Sequence, residues 1–173
     1  MMATKKLSFL ILIAVIAIVS SISPGCGPYS FTGVSVPDSI KTIRVNFIEN
    51  KARYVNPQLS PRLTDKVKQK INSQTRLTQT NSDNAHYQIS GYISDYSIST
   101  SAISDQKTVA NRLTVGVHIT VNNTLAGKTD EYDVSRSFEF SASKSLQQAE
   151  SELADEMIRA LTDEIFNKLF SNW

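Results

Sequence analysis

Few residues in this chain have the types and spacing that chemistry requires. Cys26 is the single cysteine, so its thiol cannot close an internal disulfide and stands as a free nucleophile or acyl acceptor. The two histidines, His86 and His118, each fall on the polar side of an alternating pattern. Neither has a cysteine or carboxylate at metal-ligand spacing, so both are read as surface or cross-strand side chains. No G-x-S-x-G, H-E-x-x-H or glycine-rich phosphate loop occurs. Cations suited to an anionic ligand stand at Lys107 and Arg112, in and just after the segment Ala102 to Ala110, where Asp105 and Gln106 also lie and Ile103 and Val109 flank the charges. The chemistry on offer is modification of one thiol and ionic contact with an anion. No catalytic residue, cofactor or metal is expected.

Cys26 takes its meaning from what precedes it. Lys5 and Lys6 lead into an apolar run from Phe9 to Val19, followed by Ser20, Ser21, Ser23, Pro24 and Gly25. Charged, then apolar, then small is the layout of a secretory signal, and the run falls short of the roughly 18 residues that a permanent membrane span needs. A lone cysteine directly after this segment resembles the lipobox of bacterial lipoproteins, with Ser23 where that pattern usually places an apolar residue. Residues 1–25 are expected to be a cleaved signal peptide, and Cys26 the lipidated first residue of the mature chain, held to a membrane by its acyl chains. Cleavage removes Lys5 and Lys6, so Lys plus Arg falls from 18 to 16 against 16 Asp plus Glu. That balance withdraws support for a polyanion partner bound through bulk charge, so no nucleic acid is expected.

The remaining length fits one ordinary domain. Residues 26–38, with Gly27, Pro28, Gly33 and Pro37, read as a tether, and 39–173 as a single domain. Lys41 to Ile48 alternates, with Ile43, Val45 and Phe47 on one face, as a half-buried strand does. From Asn56 the period changes. Leu59, Leu63, Val67 and Ile71 recur every four residues through polar neighbours, which predicts an amphipathic helix with Asn56-Pro57 or Ser60-Pro61 at its start and its cations toward its end. A short strand follows over Arg76 to Thr80. Next comes a long extended stretch from His86 to Ile98, whose parity shifts near Gly91 or Asp95, as at a bulge. Arg112 to Asn122 alternates cleanly, with Leu113, Val115, Val117, Ile119 and Val121 on one face, and a third strand carries Tyr132, Val134, Phe138 and Phe140. A closing helix spans about Leu146 to Phe170, opened by Ser145 and Gln148 at capping-box spacing. This order predicts an α+β domain in which two helices pack on one face of a mainly antiparallel (mixed) four- to five-stranded sheet. A single parallel crossover is expected at its start, and the opposite sheet face is polar.

The layout resembles the lipopolysaccharide-assembly lipoproteins of the LptE type. The resemblance is carried by Cys26-Gly27-Pro28-Tyr29-Ser30-Phe31-Thr32-Gly33, then Ile40-Lys41-Thr42-Ile43, Val55-Asn56-Pro57 with Leu59-Ser60, Ser73-Gln74-Thr75-Arg76-Leu77, Asn111-Arg112-Leu113-Thr114, and Ile165-Phe166-Asn167-Lys168 with Phe170 to Trp173. It implies a two-helix, mixed-sheet body on the periplasmic side of the outer membrane. It also implies that the protein sits within a large β-barrel translocon and helps deliver lipopolysaccharide to the surface, without catalysis. A polar exterior suits a polar barrel lumen. The other class kept open by the residues is a lipid-tethered periplasmic binding or accessory subunit of another envelope transport system. Because lipopolysaccharide carries phosphates close to acyl chains, Lys107 and Arg112 beside Ile103 and Val109 are the expected contact for it; the plainer readings are a solvated hairpin and, for Arg112, a cross-strand ion pair.

Overall fold

The structure, a computed structural model, describes residues 36–104 and 107–171. The expected signal peptide, Cys26, most of the tether, Asp105, Gln106 and Trp173 lie outside the described residues. Five strands and two helices follow in chain order: β1 (Thr42–Asn50), α1 (Leu59–Gln74), β2 (Thr78–Gln79), β3 (Tyr87–Ser104), β4 (Lys107–Asn123), β5 (Lys128–Ser141) and α2 (Leu146–Phe170). They form one mixed sheet in the order β2-β1-β3-β4-β5, with both helices in its core, as the α+β reading expected.

The parallel part is larger than one crossover. β1 pairs in parallel with β2 through α1, and it also pairs in parallel with β3, so two parallel ladders adjoin the antiparallel meander β3-β4-β5. Along β1 the alternation breaks. Val45 faces Ile89 and Ile48 faces Gly91, so β1 spends one residue more than β3 over this step. The bulge turns Ile48 into the core at 1% exposure and leaves Phe47 55% exposed, which corrects the expectation that Phe47 shares the buried face with Ile43 and Val45. The freed Ile48 N–H donates to the Thr64 hydroxyl of α1, 3.0 Å away, and that hydroxyl in turn donates to the Ser60 carbonyl.

The start of α1 also differs from expectation. Its N-cap is Gln58 with no side-chain cap, and neither Asn56 nor Ser60 fills that role. Asn56 accepts the Gln58 N–H through Oδ1 and the Leu59 N–H through its carbonyl, a local turn that leads the chain into the helix. Pro61 falls within the first turn, where its missing N–H costs nothing. The last turn holds no cation. Instead Lys70 bonds Asp163 and Arg62 bonds Asp155, so these two cations of α1 reach across to α2. These two pairings advance together along both helices, which therefore run parallel. α2 begins as its sequence predicts, with Ser145 Oγ accepting from Gln148 N and Gln148 Oε1 accepting from Ser145 N.

Between helices and sheet lies a single apolar layer of Leu63, Val67 and Ile71 from α1, Met157, Leu161 and Ile165 from α2, and Ile43, Ile89, Ile93, Val115, Val117 and Ile119 from the sheet. Gly91 serves this layer. A Cβ there would stand 2.6 Å from the His118 carbonyl oxygen and 2.7 Å from Ile119 Cδ1, so only glycine lets β3 and β4 approach with Ile119 folded over the strand.

Candidate functional site

The segment between the two long strands is no separate loop. β3 runs to Ser104 and β4 starts at Lys107, so Ala102 to Ala110 forms the end of one long hairpin. Two bulges shape it: β3 carries an extra residue at Ser101, between the pairs Thr100–Asn111 and Ala102–Ala110, and β4 carries one at Val109, before Thr108 pairs with Ile103. Here the apolar residues that flank the charges are open to solvent, with Ile98 46%, Ile103 69% and Val109 46% exposed.

Arg112 stands on the polar face of this hairpin and is paired across strands. Its Nη2 lies 2.9 Å from Glu139 Oε1 on β5 and also reaches Ser101 Oγ, which donates to the same carboxylate oxygen. The Ser101 hydroxyl, and after it the Arg112 guanidinium, holds the Glu139 carboxyl below its ordinary value. Lys107 pairs through its backbone with Ser104, five residues from Arg112 on the same strand. Arg112 is thus already engaged by an acid, while Ile103 and Val109 stand exposed nearer the hairpin end. Cys26 lies outside the described residues.

The rest of the polar face is a cross-strand ladder of small and hydroxyl side chains. Thr114 bonds Ser137 at 2.9 Å, and His118 Nδ1 lies 2.8 Å from Asp133 Oδ1 and packs on the Tyr92 ring, over whose other neighbourhood sits Lys51 Nζ at 4.6 Å. His86 accepts the Lys41 N–H through Nδ1. His118 therefore ties β4 to β5, as the sequence suggested, and His86 ties the residues that lead into β1 and β3. Among the described residues no group of three His, Cys, Asp or Glu side chains could hold a metal ion.

Sequence reasoning missed a second concavity. A cleft of about 520 Å³ opens between the β1–α1 connection and the two helices, lined by Tyr54, Asn56, Gln58, Arg62, Glu150 and Met157. Glu150 accepts from Tyr96 OH at 2.6 Å and from Tyr54 OH at 3.4 Å, and the two tyrosine rings stack with centroids 5.3 Å apart. Burial, and next the bond to Glu150, pushes the Tyr96 hydroxyl well above its usual range, so it stays a donor. Glu150 lies 54 positions from Tyr96 and 96 from Tyr54, and no local pattern links the three. Arg62 is spent on Asp155 at the cleft margin, so the cleft presents no free cation of its own from that position.

The sequence profile of the lipopolysaccharide-assembly family LptE matches residues 40–169, which takes in all five strands, α1 and all but the last residue of α2. No curated protein sequence matches the chain. Among solved structures the chain is similar to the rare lipoprotein B of Shewanella oneidensis, with a TM-score of 0.53 and 11% identity over 73% of this chain and 92% of that one. It is also similar to the uncharacterized lipoprotein B of Nitrosomonas europaea, with a TM-score of 0.50 and 11% identity over 84% of this chain and 87% of that one. At such identities the likeness is one of fold.

Proposed function

The chain belongs to the LptE family of lipopolysaccharide assembly, and from that premise we propose that it is a non-catalytic, lipid-anchored subunit seated within a large β-barrel translocon of the outer membrane. A role in lipopolysaccharide assembly comes with the family. The plug reading is supported by one observation above others: the sheet face opposite the helices is a bonded ladder of Ser, Thr, His and acid side chains, polar and rigid together. A barrel lumen is polar, and a body placed in it must bury polar surface against polar surface without exposing its core. In this reading the acyl chains on Cys26 attach the protein to the membrane; among the described residues no helix is long and apolar enough to cross one. The phosphates of the lipid would meet Lys107 and Arg112 at the hairpin end, with acyl carbon against Ile98, Ile103 and Val109.

Depletion of the chain in cells tests the role: lipopolysaccharide should disappear from the surface and accumulate inside the outer membrane, and unchanged surface display would refute it. Mass spectrometry of the mature N-terminus tests the anchor. An acylated peptide starting at Cys26 is expected, with Cys26→Ser left as unprocessed precursor; an unmodified N-terminus elsewhere would remove the anchor from the account.

A further inference from the structure

Most carboxylates of this chain have a basic side chain beside them. Among the described residues Asp38, Asp65, Asp95, Glu150 and Glu156 have none, and of these only Glu150 is not exposed. It stands half-buried in the wall of the cleft between the β1–α1 connection and the helices. Both of its oxygens accept from tyrosine hydroxyls there, Tyr96 at 2.6 Å and Tyr54 at 3.4 Å. Two neutral donors leave its charge uncompensated, and a carboxylate held partly out of water is stabilised by an opposite charge close by.

The surroundings of Glu150 decide what form that charge takes. Leu59 of α1 and Ala154, Met157 and Ile158 of α2 give the cleft apolar lining, and the exposed Gln58 and Gln147 add amide oxygens. One face of the Tyr54 ring stacks on Tyr96, and with Tyr54 43% exposed its other face is open. A metal ion would need more ligands than one carboxylate, and among the described residues no group of three is gathered. An anion would be repelled by Glu150, and an acyl chain would bury its charge. An arginine satisfies every part: its guanidinium forms ionic hydrogen bonds with Glu150 and stacks on the tyrosine, its stem lies on apolar carbon, and its remaining N–H groups meet the glutamine oxygens. At about 520 Å³ the cleft also has room for the residues on either side of it. This chain does not supply that cation itself. Arg62, at the cleft margin, is held by Asp155, and residues 27–35 contain no lysine or arginine. We propose that the cleft is a docking site for an arginine of a second protein, whose guanidinium pairs with Glu150 and stacks on Tyr54. The cleft opens on the helix side of the sheet, away from the polar face that supports the plug reading, so the two stand or fall separately.

The test uses the full chain in intact cells, with photo-reactive benzoylphenylalanine in place of Ser151, an exposed residue of the cleft lining. Illumination should join the chain to a second protein, and the cross-linked peptide, sequenced by mass spectrometry, should carry an arginine. Glu150→Gln keeps an acceptor for Tyr96 and removes the charge, so it should cut the adduct about tenfold. Glu156→Gln, which alters an exposed acid of the same helix, should leave the yield unchanged. Replacing the second protein's arginine by Met should cost as much as Glu150→Gln, and the two changes together no more than either alone. The identity of the second protein bears on the plug reading, and the dependence on charge bears on the docking site. The proposal is overturned if no second protein is joined, if the adduct falls on lipid or on this chain itself, if the joined peptide has no arginine, if Glu150→Gln costs no more than Glu156→Gln, or if the two losses simply add.

Discussion

Ile93 and Ile98 stand on the same strand, each in an alternating pattern of apolar and hydroxyl residues, yet the first is fully buried and the second is 46% exposed. The same contrast runs across the hairpin, from Val117 at 0% exposure to Val109 at 46%. One half of β3-β4 lies under two helices and next to β1; the other half projects beyond both. Alternation along a strand reports that one face is apolar, and what covers that face is decided by elements far away in sequence. In this molecule the covered half is a core and the projecting half presents the same residue types to solvent, lipid or another chain.

The comparison predicts unequal costs for equal substitutions. Leu161 of α2, fully buried over the covered half, should lose about 2–5 kcal/mol on truncation to Ala, whereas Ile98→Ala should fall within about 0.5 kcal/mol of wild type. Denaturant midpoints of the two purified variants measure the difference, and equal shifts would erase the distinction between the halves. Gly91→Ala probes the covered half from within. Its methyl group would meet the His118 carbonyl, which is backbone and cannot swing aside, so a loss of about 1–3 kcal/mol is expected in the same assay. A smaller effect on stability but a larger one on binding is expected in the projecting half. Lys107→Glu with Arg112→Glu should leave the fold intact, since the Arg112–Glu139 pair is exposed and worth at most about 1 kcal/mol. Titration with lipopolysaccharide at two salt concentrations should show salt-sensitive binding in the wild type and its loss in the variant; equal binding by both would move the ligand elsewhere.

Those halves were unequally legible in sequence. α2 could be placed because Ser145 and Gln148 form a local cap and its apolar stripe is long, and the four-residue recurrence of Leu59, Leu63, Val67 and Ile71 fixed α1 in the same way. The shift of parity near Asp95 was legible too, and falls between Ile93 and Asp95. Phe47 was misplaced because a bulge in β1 depends on how β3 lies beside it, and a regular alternation through Phe47 conceals the extra residue. The cap of α1 differs for a related reason: Asn56 does bond the local backbone, but two residues too early to be the cap. The hairpin end read as a loop because its polar centre hides two strands that pair to Ser104 and Lys107. The cleft built on Tyr54, Tyr96 and Glu150 left no trace, as its parts come from three distant segments.

The central claim is that this lipopolysaccharide-assembly protein works from inside a β-barrel, and it is tested most directly by purifying the tagged full chain from detergent-solubilised outer membranes. The account predicts that a large β-barrel protein accompanies it in a near one-to-one ratio and stays bound through washes at high salt. Recovery of the chain without any barrel protein, from membranes in which it is correctly anchored, would contradict it.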